Sequence, residues 1–258
     1  MNYNTINYYE DLGITTIKLN RQDRFNAFNS EMRSELLGAL NYASKDDNCR
    51  VIILTAEGKA FSAGQDLKDI EKEVDFVDIL KNEYNPLIKC MRELSKPIIG
   101  RINGVAAGAG CSIALACDFI VADFKASFVE AFVSIGLVLD SGSSYFLPRL
   151  VGSTRAFELA TMGNKLTAEQ ALDWGIINRC VPSESLDDEV QKIAMYYANA
   201  PTKAIGMMKQ MLNDSMHANL NEVLEYETKF QDLAGKTHDF SEGVNAFLSK
   251  RKPNFNGN

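Results

Sequence analysis

The sequence predicts an α/β fold that gives way to helices towards its C-terminal end. Three observations carry this. Apolar runs with strand character alternate with stretches of helical period as far as about residue 181. Two of those runs end in bends of small residues, Phe61-Ser62-Ala63-Gly64-Gln65-Asp66-Leu67 and Asn103 to Gly110. After Pro182 the strand signals cease and helical periodicity takes over.

Ile14 to Asn20 alternates β-branched with polar residues, the pattern of a half-buried strand. Asn29 or Ser30 is placed to cap a helix whose apolar stripe is Met32, Leu36, Leu37, Leu40 and Ala43. Val51 to Thr55 is a short apolar run, as in a strand buried on both faces. The charged stretch Lys68 to Asp78 is expected to be mobile. A helix follows, with Ile79, Leu80, Tyr84, Leu87, Ile88, Met91 and Leu94 at helical spacing. Pro97 to Ile102 and Phe119 to Ala122 read as strands. Thr167 and Gln170 form a capping box for a helix running to Trp174, and Ile177 to Val181 follows it. Helices are then expected at about 186–199, 201–212, 218–234 and 241–250. With no repeat and no Pro/Gly-rich linker, the organisation reads as an α/β core over 1–195 and a helical region over 196–258.

Composition narrows the function classes. The 258 residues, 46% apolar, suit one α/β unit with an appended tail. A net charge of −7 without any basic block argues against nucleic acid as a partner. The five cysteines (Cys49, Cys90, Cys111, Cys117 and Cys180) are odd in number and form no CxxC pair, so free thiols and a cytoplasmic location are expected. The N-terminal residues lack the pattern of a secretory signal. No stretch approaches the ~20 apolar residues of a membrane span, so no membrane partner is expected. Two histidines, His217 and His238, are too few for a His-built zinc site or a histidine-based triad, and neither metal nor cofactor is expected.

The two small-residue bends suggest chemistry. Each follows a strand-like run, and together they can turn two backbone N–H groups towards one oxygen. Such donors stabilise an oxyanion of the kind formed when an acyl thioester loses an α-proton. The same small residues would also serve simple close packing of strand on helix.

Together with Asn26-Ala27-Phe28, Gly136-Leu137 and the terminal Phe247-Leu248-Ser249-Lys250-Arg251-Lys252-Pro253, these bends resemble the crotonase (enoyl-CoA hydratase/isomerase) superfamily along essentially the whole chain. The resemblance implies a crotonase-like spiral of ββα units with a C-terminal helical trimerisation region. It implies a homotrimer, or a hexamer built as a dimer of trimers, and an acyl-CoA substrate. It places the two oxyanion-binding N–H groups at Gln65 and Ala109, within turns that include Gly64 and Gly108. For coenzyme A it points to Arg24 and Lys68 near the phosphates, to Ala27, and to backbone groups of Ala63, Asp66 and Leu67. Lys250 or Arg251 of the tail would be a further phosphate contact. Phe76, Ile79, Tyr84 and Leu87 are candidates for the acyl pocket.

Family hydratases use two glutamates to activate water, and at the matching positions this chain has Ser112 and Phe132. Glu130 lies two residues from the second position and stays a weaker candidate. Asp140 resembles the single catalytic acid of several family isomerases, among them the 1,2-epoxyphenylacetyl-CoA isomerase group. Read without the family, an Asp before Ser-Gly-Ser-Ser is a good helix N-cap. An apolar wall of Phe132, Val133, Val138 and Leu139 is expected to raise its pKa. The position also matches the nucleophile of 4-chlorobenzoyl-CoA dehalogenase, but the histidine and tryptophan which that chemistry needs are absent. The implied activity is an acyl-CoA isomerase that shifts a double bond or opens an epoxide beside the thioester. An enoyl-CoA hydratase is the alternative, and a non-catalytic CoA-binding or RNA-associating relative the third reading.

Overall fold

The computed structural model of the chain describes residues 3–68 and 75–258. The mobility expected for Lys68 to Asp78 falls mostly on residues outside that description. β1 (Ile6–Asp11) and β2 (Ile14–Leu19) form an antiparallel hairpin. Its turn, Leu12-Gly13, holds both residues at positive φ. α1 (Ser30–Lys45) is capped by Asn29, whose side chain accepts the Met32 N–H at 2.9 Å. β3 (Val51–Ala56) and β4 (Ala60–Ser62) follow. The predicted helix of Ile79 to Leu94 is α2 (Phe76–Ile79), a π-helical turn (Leu80–Tyr84) and α3 (Asn85–Glu93) in one run. Next come β5 (Ile98–Ile102), β6 (Val105–Ala107) and α4 (Ala109–Leu115). They are followed by β7 (Phe119–Asp123), β8 (Ser127–Val129) and α5 (Ser143–Met162). β9 (Leu166–Thr167) leads into α6 (Ala168–Asp173), where Thr167 and Gln170 make the reciprocal capping box. β10 (Arg179–Val181) precedes α7 (Leu186–Ala198), α8 (Thr202–Ser215), α9 (Leu220–Gly235) and α10 (His238–Leu248).

The strands form two sheets, ordered β1-β2-β3-β5-β7-β10 and β4-β6-β8-β9. Each repeat sends one strand to the larger sheet, the next to the smaller, and then a helix: β3-β4-α2/α3, β5-β6-α4, β7-β8-α5. β4, β6 and β8 pair in parallel, so whatever follows each of them is stacked at the same end of the small sheet. This spiral is what sets the two small-residue bends side by side.

β3 is apolar from Val51 to Leu54 because both faces of the large sheet are covered. Ile52 and Leu54 enter the main core with Met32, Leu36 and Leu40 of α1. Val51 and Ile53 face Leu186, Val190 and Ala194 of α7. Burial of each such side chain contributes roughly 1.5–3 kcal/mol. Cys49, Cys111 and Cys117 are buried, and all five thiols are free.

Candidate active site

The first bend is fixed by a two-bond bridge. Phe28 N–H donates to Gly64 O at 2.7 Å, and Asp66 N–H donates to Phe28 O at 3.0 Å. Gln65 stands between those two partners, so its own N–H points away from Phe28. In the second bend Gly108 N–H donates to Val129 O at 2.9 Å. Ala109 then opens α4, where a first-turn N–H has no carbonyl one turn back. Neither the Gln65 nor the Ala109 N–H meets an acceptor among the described residues. The bends touch at backbone distance: a Cβ on Gly64, which sits at φ +91°, would lie 2.7 Å from Ala107 O and 3.4 Å from Ala109 N.

Both residues line a cavity of about 210 Å³ together with Ala63, Gly64, Leu67, Gly108, Phe132 and Asp140. Phe76, Ile79 and Tyr84 line it as expected, but Leu87 is wholly buried in the core. The π-helical turn brings Leu80 and Tyr84 to the cavity together.

Asp140 is the one carboxyl lining this cavity among the described residues. It is not a side-chain helix cap. Gly142 holds the N-cap of α5 with no side-chain bond, and Asp140 offers the helix only its carbonyl, to Ser143 N–H at 3.0 Å. Its Oδ1 accepts the Ser141 hydroxyl at 2.8 Å. Burial raises its pKa above the ordinary carboxylate value, against that hydrogen bond. The wall that buries it differs from the expected one. Phe132 is present, but Val133 and Val138 are exposed and Leu139 does not line the cavity; Ile135 and Leu137 do. The turn of Ala131–Ile135 is 3-10 helical, so the two-residue offset between Glu130 and Phe132 does not keep them on one face.

The Gln65 side chain is clamped as well. Its Oε1 accepts from Arg33 Nη1 at 2.7 Å and from the Tyr84 hydroxyl at 2.7 Å. Arg33 is 2% exposed, donates to Phe28 O and pairs with Glu83 at 2.7 Å. Sequence reasoning passed over Arg33, although a lone arginine three residues before Leu36 on an apolar stripe was a readable signal.

The remaining expected ligand contacts lie outside the cavity lining. Asp66 accepts from Arg21 Nη2 at 3.0 Å and from Lys68 N–H at 3.1 Å. Burial pushes its pKa up, but these bonds outweigh burial and hold the carboxyl below its usual range. Arg21 also donates to Ala27 O, so Arg21, which the sequence did not single out, ties the first bend together. Arg24 is half-exposed and pairs with Asp23 at 3.4 Å. It stays beside the bend, because the Phe25 carbonyl takes the Ala63 N–H. Lys68 is exposed at the end of that bend. Lys250 is not brought to the cavity by its own chain: the segment after it is tied to α10, through Arg251 to Glu242 at 2.6 Å and through Asn256 and Gly257 N–H to Asp239.

Ser112 is fully buried behind the lining, and Glu130 is 3% exposed and also behind it. No group of His, Cys, Asp and Glu that could hold a metal ion occurs among the described residues. No helix among them is long and apolar enough to cross a membrane.

The family described as enoyl-CoA hydratase/isomerase matches residues 10–258. The 1,2-epoxyphenylacetyl-CoA isomerase of Escherichia coli K12 is 42% identical over 95% of each chain. A chain of Rhodobacter capsulatus named a probable enoyl-CoA hydratase is 38% identical over the full length of both. Among solved structures, enoyl-CoA hydratase subunit I of Geobacillus kaustophilus superposes with a TM-score of 0.94 at 32% identity, covering 99% of each chain.

Proposed function

We propose, from the premise that the chain belongs to the enoyl-CoA hydratase/isomerase family, that it is an acyl-CoA isomerase working through a single carboxylate. The observation that carries this is the cavity itself. Asp140 is its one carboxyl among the described residues, and it shares the lining with two unpaired main-chain N–H donors, of Gln65 and Ala109. One carboxylate suits proton transfer between two carbons. Asp140 takes the α-proton, the two N–H groups hold the thioester oxygen as it gains charge, and the same acid returns the proton at the γ-carbon. Donors fixed before reaction favour the charged enolate over the neutral thioester. The apolar lining from Phe76, Ile79, Phe132 and Leu137 strengthens those interactions by excluding water. Opening an epoxide next to the thioester would use the same groups.

Hydration of a 2-enoyl-CoA is the competing reaction. It needs a water held by carboxylates, and the two matching positions are a buried serine and a phenylalanine. Incubating the protein with a 3-enoyl-CoA and a 2-enoyl-CoA in deuterated water separates the two. Isomerisation with label at the α- or γ-carbon is expected; accumulation of 3-hydroxyacyl-CoA in its place would overturn the reading.

Arg24 and Lys68 are proposed to meet the phosphates of coenzyme A from the rim of the first bend. The exposed Leu220, Leu224, Phe240, Phe247 and Leu248 of α9 and α10 support assembly into a trimer or hexamer. Gly64→Ala would press a methyl against Ala107 O and spread the two donors. Its isomerisation kcat/KM is expected to fall by up to about 100-fold, the scale of a displacement near 1 Å. An unchanged circular dichroism spectrum would show that the fold survives; an unchanged rate would show that the spacing of the bends is immaterial.

A further inference from the structure

We infer that Glu130 is a positioning residue, a neutral acid whose proton completes a hydrogen-bond relay through Ser143 and Ser112 to the carbonyl of Asp140. The catalytic part of this rests on the role proposed for Asp140. Glu130 Oε1 lies 2.9 Å from Ser143 Oγ, Ser143 Oγ lies 2.8 Å from Ser112 Oγ, and Ser112 Oγ lies 3.1 Å from Asp140 O. Three contacts in series need three hydrogens. The two hydroxyls carry one each, and a carbonyl oxygen only accepts. A carboxylate at Glu130 would leave one contact empty: either the two serine oxygens would face each other at 2.8 Å without a proton, or Asp140 O would lose the Ser112 hydroxyl and keep only the Ser143 N–H. A protonated Glu130 supplies the third hydrogen and satisfies all three.

Burial argues the same way. Ser112 and Ser143 are fully buried, and Glu130 Oε2 has no partner among the described residues. An unpaired buried oxygen costs less on a neutral acid than on a carboxylate. The titratable groups facing Glu130 are the Cys111 thiol of α4 and the Asp140 carboxyl; hydrogen bonding to Ser143 and then to Cys111 favours the carboxylate, and Asp140 disfavours it by less. Burial is the largest influence and pushes the pKa up to about 7.

The far end of the relay is where a loss would be felt. Asp140 O belongs to the acid's own residue. Ser112 Oγ also lies 3.3 Å from Gly108 O, which shares its peptide group with the Ala109 N–H. When Glu130 ionises, Ser143 turns its hydrogen to the carboxylate and Ser112 turns to Ser143. Both carbonyls then lose the Ser112 hydrogen.

Glu130→Gln tests this, because its amide can donate to Ser143 at every pH. The folded pKa of Glu130 lies above its ordinary value, so stability it confers at low pH is lost as pH rises through the window from 4.5 to about 7. The melting temperature of the wild type is therefore expected to fall relative to Glu130→Gln across that window, and the gap to level off above it. The isomerisation kcat/KM of the wild type is expected to fall about 10-fold on the alkaline side, well short of the largest misplacement effects. Glu130→Gln should keep the neutral-pH rate and lose that limb, and Ser143→Ala should show the lowered rate at all pH with KM unchanged. A melting gap that ignores pH overturns the inference, as does an alkaline limb shared by wild type and Glu130→Gln. Melting needs no substrate, so a pH-dependent gap in a protein that fails to isomerise would stand against the proposed function and leave the protonated relay supported.

Discussion

Asp140→Asn is expected to lower isomerisation of a 3-enoyl-CoA by about 10²- to 10⁴-fold, the range of general acid–base contributions. The substitution keeps the shape of the side chain and an acceptor for the Ser141 hydroxyl, so the cavity is preserved while proton transfer is not. Stability separates this outcome from mere damage. The pKa of Asp140 is raised in the folded protein, so folding favours the protonated form and the carboxyl contributes less stability as pH rises above its ordinary value. At neutral pH the asparagine variant should therefore melt no lower than the wild type. In the wild type, kcat/KM should show an acid limb displaced upward from the usual carboxylate range, because the base must be ionised. Retained label exchange in Asp140→Asn, measured in deuterated water, would remove the residue from the mechanism.

The parts of this site that were legible in the sequence are those set by local backbone chemistry. Gly64 and Gly108 at positive φ, the capping box at Thr167 and the two-sided burial of β3 each leave a mark within a few residues. β4, β6 and β8 left almost none. Each is three residues long, and β6 lies within what reads as a small-residue bend. They are strands only because the spiral stacks them on one another, and no period can be seen over three residues. The side-chain network around the site was hidden for a related reason. Arg21 rather than Arg24 reaches Asp66, and Arg33 reaches Gln65, across gaps of 45 and 32 residues. Glu130 was judged by its offset from a family position, whereas its role depends on Ser143 and Ser112, which only the folded chain brings to it.

The largest effect on stability is expected at Asp118, which is absent from the cavity lining. Its Oδ2 accepts the Ile98 N–H at 2.8 Å and Lys209 Nζ at 2.7 Å, and its Oδ1 accepts Arg92 Nη1 at 3.0 Å. Lys209 is 8% exposed and also donates to Met91 O at 2.7 Å, which pins α8 to the end of α3. Burial lowers the Lys209 pKa and Asp118 opposes that shift, so the ammonium depends on this one carboxylate. Asp118→Ala would leave a buried ammonium and a half-buried guanidinium without their carboxylate, and a strand N–H without its acceptor. Breaking a buried pair on one side costs about 3–5 kcal/mol. At roughly 2–4 °C per kcal/mol for a chain of this size, the melting temperature should fall by on the order of 10 °C. Lys209→Met on top of Asp118→Ala removes the stranded charge and should recover part of the loss, since a desolvated pair is often no more stable than apolar side chains of similar size. Strict additivity of the two single losses in a double-mutant cycle would mean that the pair is uncoupled. In that case α8 would be held by packing alone, chiefly Gly206, whose missing Cβ lets the helix lie directly on Ser95 O.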